Sequence, residues 1–188
     1  MRKIHIFPAL LSVLIFMLCG CQTVPNTSSE NSEIMLSLFE PDIGFSIPES
    51  FSQTSTDKND RAYVCDNASI IVNQDYLSQK VTGLNAYVTY SKELYQSVTD
   101  KYTEINQEQT EINGMDAIIT EFSYDIDGKN NDSLSMTCIV GFYNDPINKP
   151  GSIYIVTCKS DSESYPDFRD NFLAVLNSVK NNQEESYD

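Results

Sequence analysis

Ile153-Tyr154-Ile155-Val156-Thr157-Cys158-Lys159 is a seven-residue run of β-branched, aromatic and small apolar residues that breaks only at its lysine. So short a run, so rich in Ile, Val, Tyr and Thr, reads as a core strand. Upstream, Leu134 to Tyr143 has the same character, and the turn-forming clusters Asn144-Asp145-Pro146 and Lys149-Pro150-Gly151 lie between the two. Together they predict neighbouring strands at the centre of a sheet.

Working outward, Met115 to Tyr124 alternates, with Ile119 and Phe122 or Ile118 and Tyr124 inward depending on register. Asn113-Gly114 is a hairpin-turn signal joining it to Thr103–Ile112, polar enough to be an edge. A helix is predicted from about Leu84 to Thr99, because Leu84, Tyr87, Val88, Ser91, Leu94, Tyr95 and Val98 recur at spacings of three and four. Ser91 is the only polar member of that face, and Thr82 and Asn85 are its candidate N-caps. Tyr87, Tyr90 and Tyr95 read as core packing with hydroxyls reaching solvent, ahead of an aromatic binding stripe.

Ala62–Asp66 and Ser69–Asn73 form a hairpin turning at Asp66-Asn67, and Met35–Phe39 and Gly44–Ile47 read as short strands with Phe51 as an early core anchor. A last helix, about Tyr165 to Val179, has Pro166 in its first turn and turns Phe168, Phe172, Val175, Leu176 and Val179 to the sheet.

The N-terminus carries a different message. Arg2 and Lys3 precede an apolar run from Ile4 to Leu18, the layout of a secretory signal rather than of a span of about 20 apolar residues. Leu18-Cys19-Gly20-Cys21 resembles the bacterial lipobox, which implies cleavage between Gly20 and Cys21 and a diacylglyceryl group on the Cys21 thiol. Cys19 stands where a smaller Ala, Ser or Thr is commoner. Two acyl chains, at about 0.8 kcal/mol per buried methylene, give stable anchorage. Residues 1–20 are then the signal peptide, 21–33 the lipidated cysteine and a Ser-, Thr-, Asn- and Pro-rich linker with a reach of about 20 Å, 34–180 one folded domain, and 181–188 a polar tail.

Loss of residues 1–20 takes the 12 basic residues to 10 against 27 acidic ones, a formal charge of −17. Such a surface is repelled by phosphate backbones, so no nucleic-acid partner is expected. His5, the only histidine, leaves with the signal, which removes Ser-His and Cys-His nucleophile schemes and His-containing zinc sites. No Gly-rich phosphate loop is present and no cofactor is indicated. Convergent carboxylates are the remaining route to catalysis, and no spacing singles out a pair. The expectation is a protein that is not an enzyme.

Cys65, Cys138 and Cys158 remain, an odd number. Cys138 and Cys158, on adjacent predicted strands, are the candidate pair for a bridge, while the preferred expectation is three small buried hydrophobes. Asp125, Asp127, Gly128, Asn130, Asn131 and Asp132 form the one cation-like cluster. Setting Gly128 at the turn of a calcium loop puts Ser123 at the first ligand position and Leu134 where a bidentate Glu belongs, so an EF-hand is excluded. A hairpin turn at Asp127-Gly128 is preferred, with Asp125, Asp127 and Asp132 as a candidate cation site.

Gly44-Phe45-Ser46-Ile47-Pro48 with Phe51, the tyrosine-bearing central helix, Asn113-Gly114 before a strand ending at Tyr124, Ile153–Thr157, and the closing Tyr165, Phe168, Phe172, Leu176 and Ser178 together resemble the PsbP-like (Mog/PsbP-type) family, over about Phe39 to Lys180. Phe51 departs from the family, where Trp is common. The resemblance implies an α+β fold, an α/β/α sandwich with a central antiparallel sheet, and a mostly non-catalytic function. The expected role is a membrane-anchored extracytoplasmic lipoprotein acting as an interaction module for an envelope protein, with small-solute or cation binding as the alternative.

Overall fold

The central run becomes a strand, β8 (Ser152–Asp161), in which every residue from Ser152 to Ser160 is buried. Side chains alternate across a strand, so burial of all of them requires a cover on each face of the sheet. The computed structural model describes residues 43–54, 61–78, 81–127, 133–145 and 150–181. The chain divides into units Met1–Glu40 and Pro41–Asp188, and the described residues belong to the second. Met35–Phe39 and the linker lie outside them.

The other strands are β1 (Ile43–Gly44), β2 (Ser52–Thr54), β3 (Arg61–Cys65), β4 (Ala68–Tyr76), β5 (Asp100–Ile112), β6 (Met115–Asp127), β7 (Ser133–Asn144) and β9 (Lys180–Asn181); the helices are α1 (Leu84–Val98) and α2 (Tyr165–Asn177). Seven strands form an antiparallel sheet in the order β2-β3-β4-β8-β7-β6-β5, with β8 in the middle, and β1 pairs with β9 separately.

The register places the faces. Val72, Val156, Ile139 and Tyr143 share one face with α2, whose Phe172, Val175 and Leu176 join them in the main core. Thr120, Phe122 and Phe142, on the opposite face, pack with Val88 and Tyr95 of α1. Both faces of β6 are therefore used: Ile118, Phe122 and Tyr124 point to the α1 side and Ile119 to the α2 side, so the two register alternatives collapse into one two-sided strand.

Local chemistry sets the boundaries. Asp66 and Asn113 adopt the left-handed region (φ 48° each) at the two hairpin turns, and Gly114 follows at φ 79°. Gly83, at φ 93°, is the N-cap of α1 and accepts the Tyr87 amide at 3.1 Å; neither Thr82 nor Asn85 caps it, because the chain turns through a conformation that favours glycine. α2 starts where the Asp161 carboxylate accepts the Ser164 amide at 2.8 Å, with Pro166 and Asp167 in the first turn. Its helical residues end at Asn177 rather than Val179. The predicted Gly44–Ile47 strand is only Ile43–Gly44 of β1; Ser46 leaves the ladder and donates its amide to Ser178 Oγ at 2.8 Å. Phe51 is buried edge-on to Phe168, as expected of a core anchor.

Gly141 of β7 is required by packing. A Cβ there would stand 2.3 Å from Tyr143 Oη and 2.7 Å from its ring, and that hydroxyl donates to the Leu176 carbonyl at 2.9 Å. Gly141→Ala must push the Tyr143 ring off α2, and a loss of about 2 kcal/mol in denaturant unfolding is expected, shrinking when Tyr143→Phe is combined with it.

Candidate functional site

Gly20, Cys21 and Asp132 lie outside the described residues, and so does the side chain of Asp127, whose backbone ends β6. Asp125 is described, and it is engaged within the fold. It accepts Lys101 Nζ at 2.6 Å and Ser135 Oγ at 2.5 Å, tying β5, β6 and β7 together, and the lysine's hydrogen bond holds its carboxyl below the usual range. Among the described residues no group of three His, Cys, Asp or Glu side chains could hold a metal ion. Asp125 is a strand tie here.

Cys138 and Cys158 are buried and free. Cys138 is registered opposite Lys159 and Cys158 opposite Ile139, so the two thiols point to opposite faces of the sheet and the candidate bridge is not formed. Cys65 is half-buried rather than fully buried.

Beneath α1 the tyrosines divide. Tyr87 donates to Asp75 Oδ2 at 2.7 Å; Tyr95 is buried 4.8 Å from the Phe122 ring; Tyr90 faces solvent. Tyr102 of β5 stacks on Phe122 at 5.0 Å, and partial burial raises its hydroxyl to about 12. Tyr95, Tyr102 and Phe122, with Val88, Ser91, Lys92, Thr120 and Phe142, line a cavity of about 10 Å³. The Lys92–Glu104 ion pair (2.6 Å) joins α1 to β5 beside it.

The opposite face carries the most specific polar arrangement. Glu121 is 4 % exposed and takes three bonds of 2.9 Å, from Arg169 Nε and Nη2 as a two-pronged pair and from Tyr165 Oη. The arginine bonds hold its carboxyl below the usual range against the opposing effect of burial, the reverse of what a general acid needs. Its evident work is to fasten α2 to β6. Nothing in the sequence linked Glu121 to residues 44 and 48 positions away.

Lys159 is the odd cation. It is 8 % exposed on the α1 side of β8, between Ser69 and Cys138 in the ladder, and no carboxylate among the described residues pairs with it. Burial lowers its pKa, while the neighbouring Cys138 thiol is pushed up to about 11. A lone lysine ending an apolar run was the available sequence signal.

The sheet's two edges are unequal. β2 is three residues long, whereas β5 is 13 residues, about 40 Å, paired among the described residues on one side only. From Thr103 to Glu111 every residue is exposed, although Lys92 of α1 reaches Glu104 near its start. A register shift at Ile105 interrupts it once, and Asn106–Ile112 then pairs residue for residue with β6. Among the described residues Glu108 and Glu111 have no ion-pair partner.

Comparison with solved structures finds the same fold at low identity. LpqN, involved in cell envelope biogenesis of Mycobacterium tuberculosis, superposes with a TM-score of 0.57 at 10% identity, over 73% of this chain and 82% of that one. The Saccharomyces cerevisiae Ran-binding protein Mog1p gives 0.54 at 11%, over 75% and 90%. Cyanobacterial PsbP (CyanoP) from Synechocystis gives 0.54 at 13%, over 87% and 98%. The fold is thus α+β, two helices on a large antiparallel sheet, of the PsbP and Mog type. No protein-family model and no curated protein matches the sequence.

Arg169→Met leaves Glu121 without its cation. A loss of about 2–3 kcal/mol is expected, at the low end for a buried pair because the arginine side chain is 42 % exposed. Since the carboxyl's pKa is lowered by folding, its contribution is full above about pH 4.5 and disappears as pH falls through the folded value; Glu121→Gln should flatten that acid limb of a melting curve. Lys159 has the other sign. With its folded pKa below 10.5, the unfolded chain binds more protons between the two values, and the penalty for the buried charge eases as pH rises through that window. Lys159→Met should therefore gain about 1 kcal/mol at pH 7 and lose that advantage toward pH 10.5 in paired denaturation curves.

Proposed function

We propose that this chain is a lipid-anchored extracytoplasmic lipoprotein of a bacterial cell envelope. Its folded unit is a non-catalytic interaction module that docks another envelope protein along the free edge of β5. The long, two-face-exposed edge from Thr103 to Glu111 carries the docking reading. An unpaired strand edge is a row of backbone donors and acceptors, and adding a strand is a common way to bind an extended segment. The edge belongs to a body of strong negative charge, and its Glu108 and Glu111 call for lysine or arginine on the incoming strand. A second copy would meet the same acids with its own, which disfavours self-pairing. The anchor reading draws on Arg2-Lys3, the apolar run and Leu18–Cys21, with a diacylglyceryl group on Cys21 as the membrane contact. The fold it shares with LpqN, a protein of envelope biogenesis, is in keeping with this setting. Among the described residues no helix is long and apolar enough to cross a membrane.

A photo-crosslinking residue placed at Gln109 in tagged full-length protein, with a second version carrying it at the exposed Asp170 of α2, tests both parts. One envelope protein should be captured recurrently from Gln109 and not from Asp170, lost in Glu108→Lys/Glu111→Lys and weakened in Cys21→Ala, while metabolic labelling with an alkynyl fatty acid should be abolished by Cys21→Ala alone. Equal capture from both positions would sink edge docking; unlabelled protein would sink the anchor.

A further inference from the structure

The cavity under α1 is lined mostly by apolar atoms. Ser91 Oγ and Thr120 Oγ1 both belong to residues lining it, and the residues are 2 % and 3 % exposed. Neither oxygen has a hydrogen-bond partner among the described residues. A buried hydroxyl without a partner is costly, and Ala at 91 or Val at 120 would fill nearly the same space without that cost. Ser91 is also the only polar residue on the otherwise apolar face of α1, so two independent elements, a helix and β6, each bring a residue with an unpartnered buried hydroxyl to the lining of one cavity. The remaining walls, Val88, Tyr95, Phe122 and Phe142, close it on the apolar side. A volume of about 10 Å³ sits at the lower limit for one water molecule and below that for an organic ligand.

We propose that this cavity is a binding site for a single water molecule, held between Ser91 Oγ and Thr120 Oγ1 and bridging α1 to β6. Each hydroxyl donates to or accepts from the water, which meets the minimum of two polar partners that fixes a buried water. On this reading α1 is attached to β6 through water, beside the Lys92–Glu104 ion pair that joins it to β5.

The test is a double-mutant cycle on the full chain with the near-isosteric Ser91→Ala and Thr120→Val. Thr120→Val should lower Tm by about 3 °C, and the double variant should fall clearly short of the summed single effects, because once one partner is gone the water holds little further value. The helix-propensity gain of alanine at position 91 cancels in the cycle. A rise in Tm for Thr120→Val with additive effects overturns the proposal, since that is the behaviour of two bare hydroxyls. A crystal structure with ordered solvent gives the direct readout: a water within hydrogen-bond distance of both oxygens supports the site, and density showing none there overturns it.

Discussion

Burial of β8 on both faces is the constraint from which the architecture follows. Its nine consecutive buried residues, Ser152 to Ser160, demand an α-helix above and another below, and its place between β4 and β7 joins two blocks that otherwise share no ladder. The block β2-β3-β4 and the block β5-β6-β7 are each built from neighbouring hairpins. A contact between residues 69–76 and 152–159 closes a loop of some 80 positions, so the sheet is completed by a non-local step.

The two helices are held by different physics. α2 is clamped by Glu121, Arg169 and Tyr165 and by the densest aromatic packing of the main core, Phe51, Phe168 and Phe172. α1 rests on rings, with Tyr95 over Phe122 and Tyr87 tied to Asp75, and its contact with the sheet includes the small polar cavity. Breaking α2 loose exposes the buried carboxylate of Glu121; on the α1 side the buried charge is Lys159 of β8, and the Lys92–Glu104 pair is partly exposed.

Most of the fold was legible because its signals are local. The run at 153–159, the period of α1 and the turns at Asp66-Asn67 and Asn113-Gly114 are each written within a few residues, and the structure keeps all of them. What was hidden is relational. Cys138 and Cys158 sit on adjacent strands as expected, but only the register reveals that they face apart. The Glu121 clamp spans 48 positions, and its carboxylate looks like any of 27 acids until α2 is laid across it. The cap of α1 was misassigned because side-chain capping preferences say nothing of a glycine turn at φ 93°. Asp125 was singled out for its neighbours in sequence, and its partners turned out to be Lys101 and Ser135 across the sheet.

The pairing of β1 with β9 has a mechanical side. Ile43 and Gly44 meet Asn181 and Lys180 in a two-residue ladder, supported by the Ser46 amide on Ser178 and the Arg61 guanidinium on the Ile43 carbonyl, while β8 lies at the centre of seven strands. Tension transmitted along the chain from residue 43 loads this small clasp first. It would part like a seam, strand end by strand end, giving up a short length of slack before force reached the large sheet.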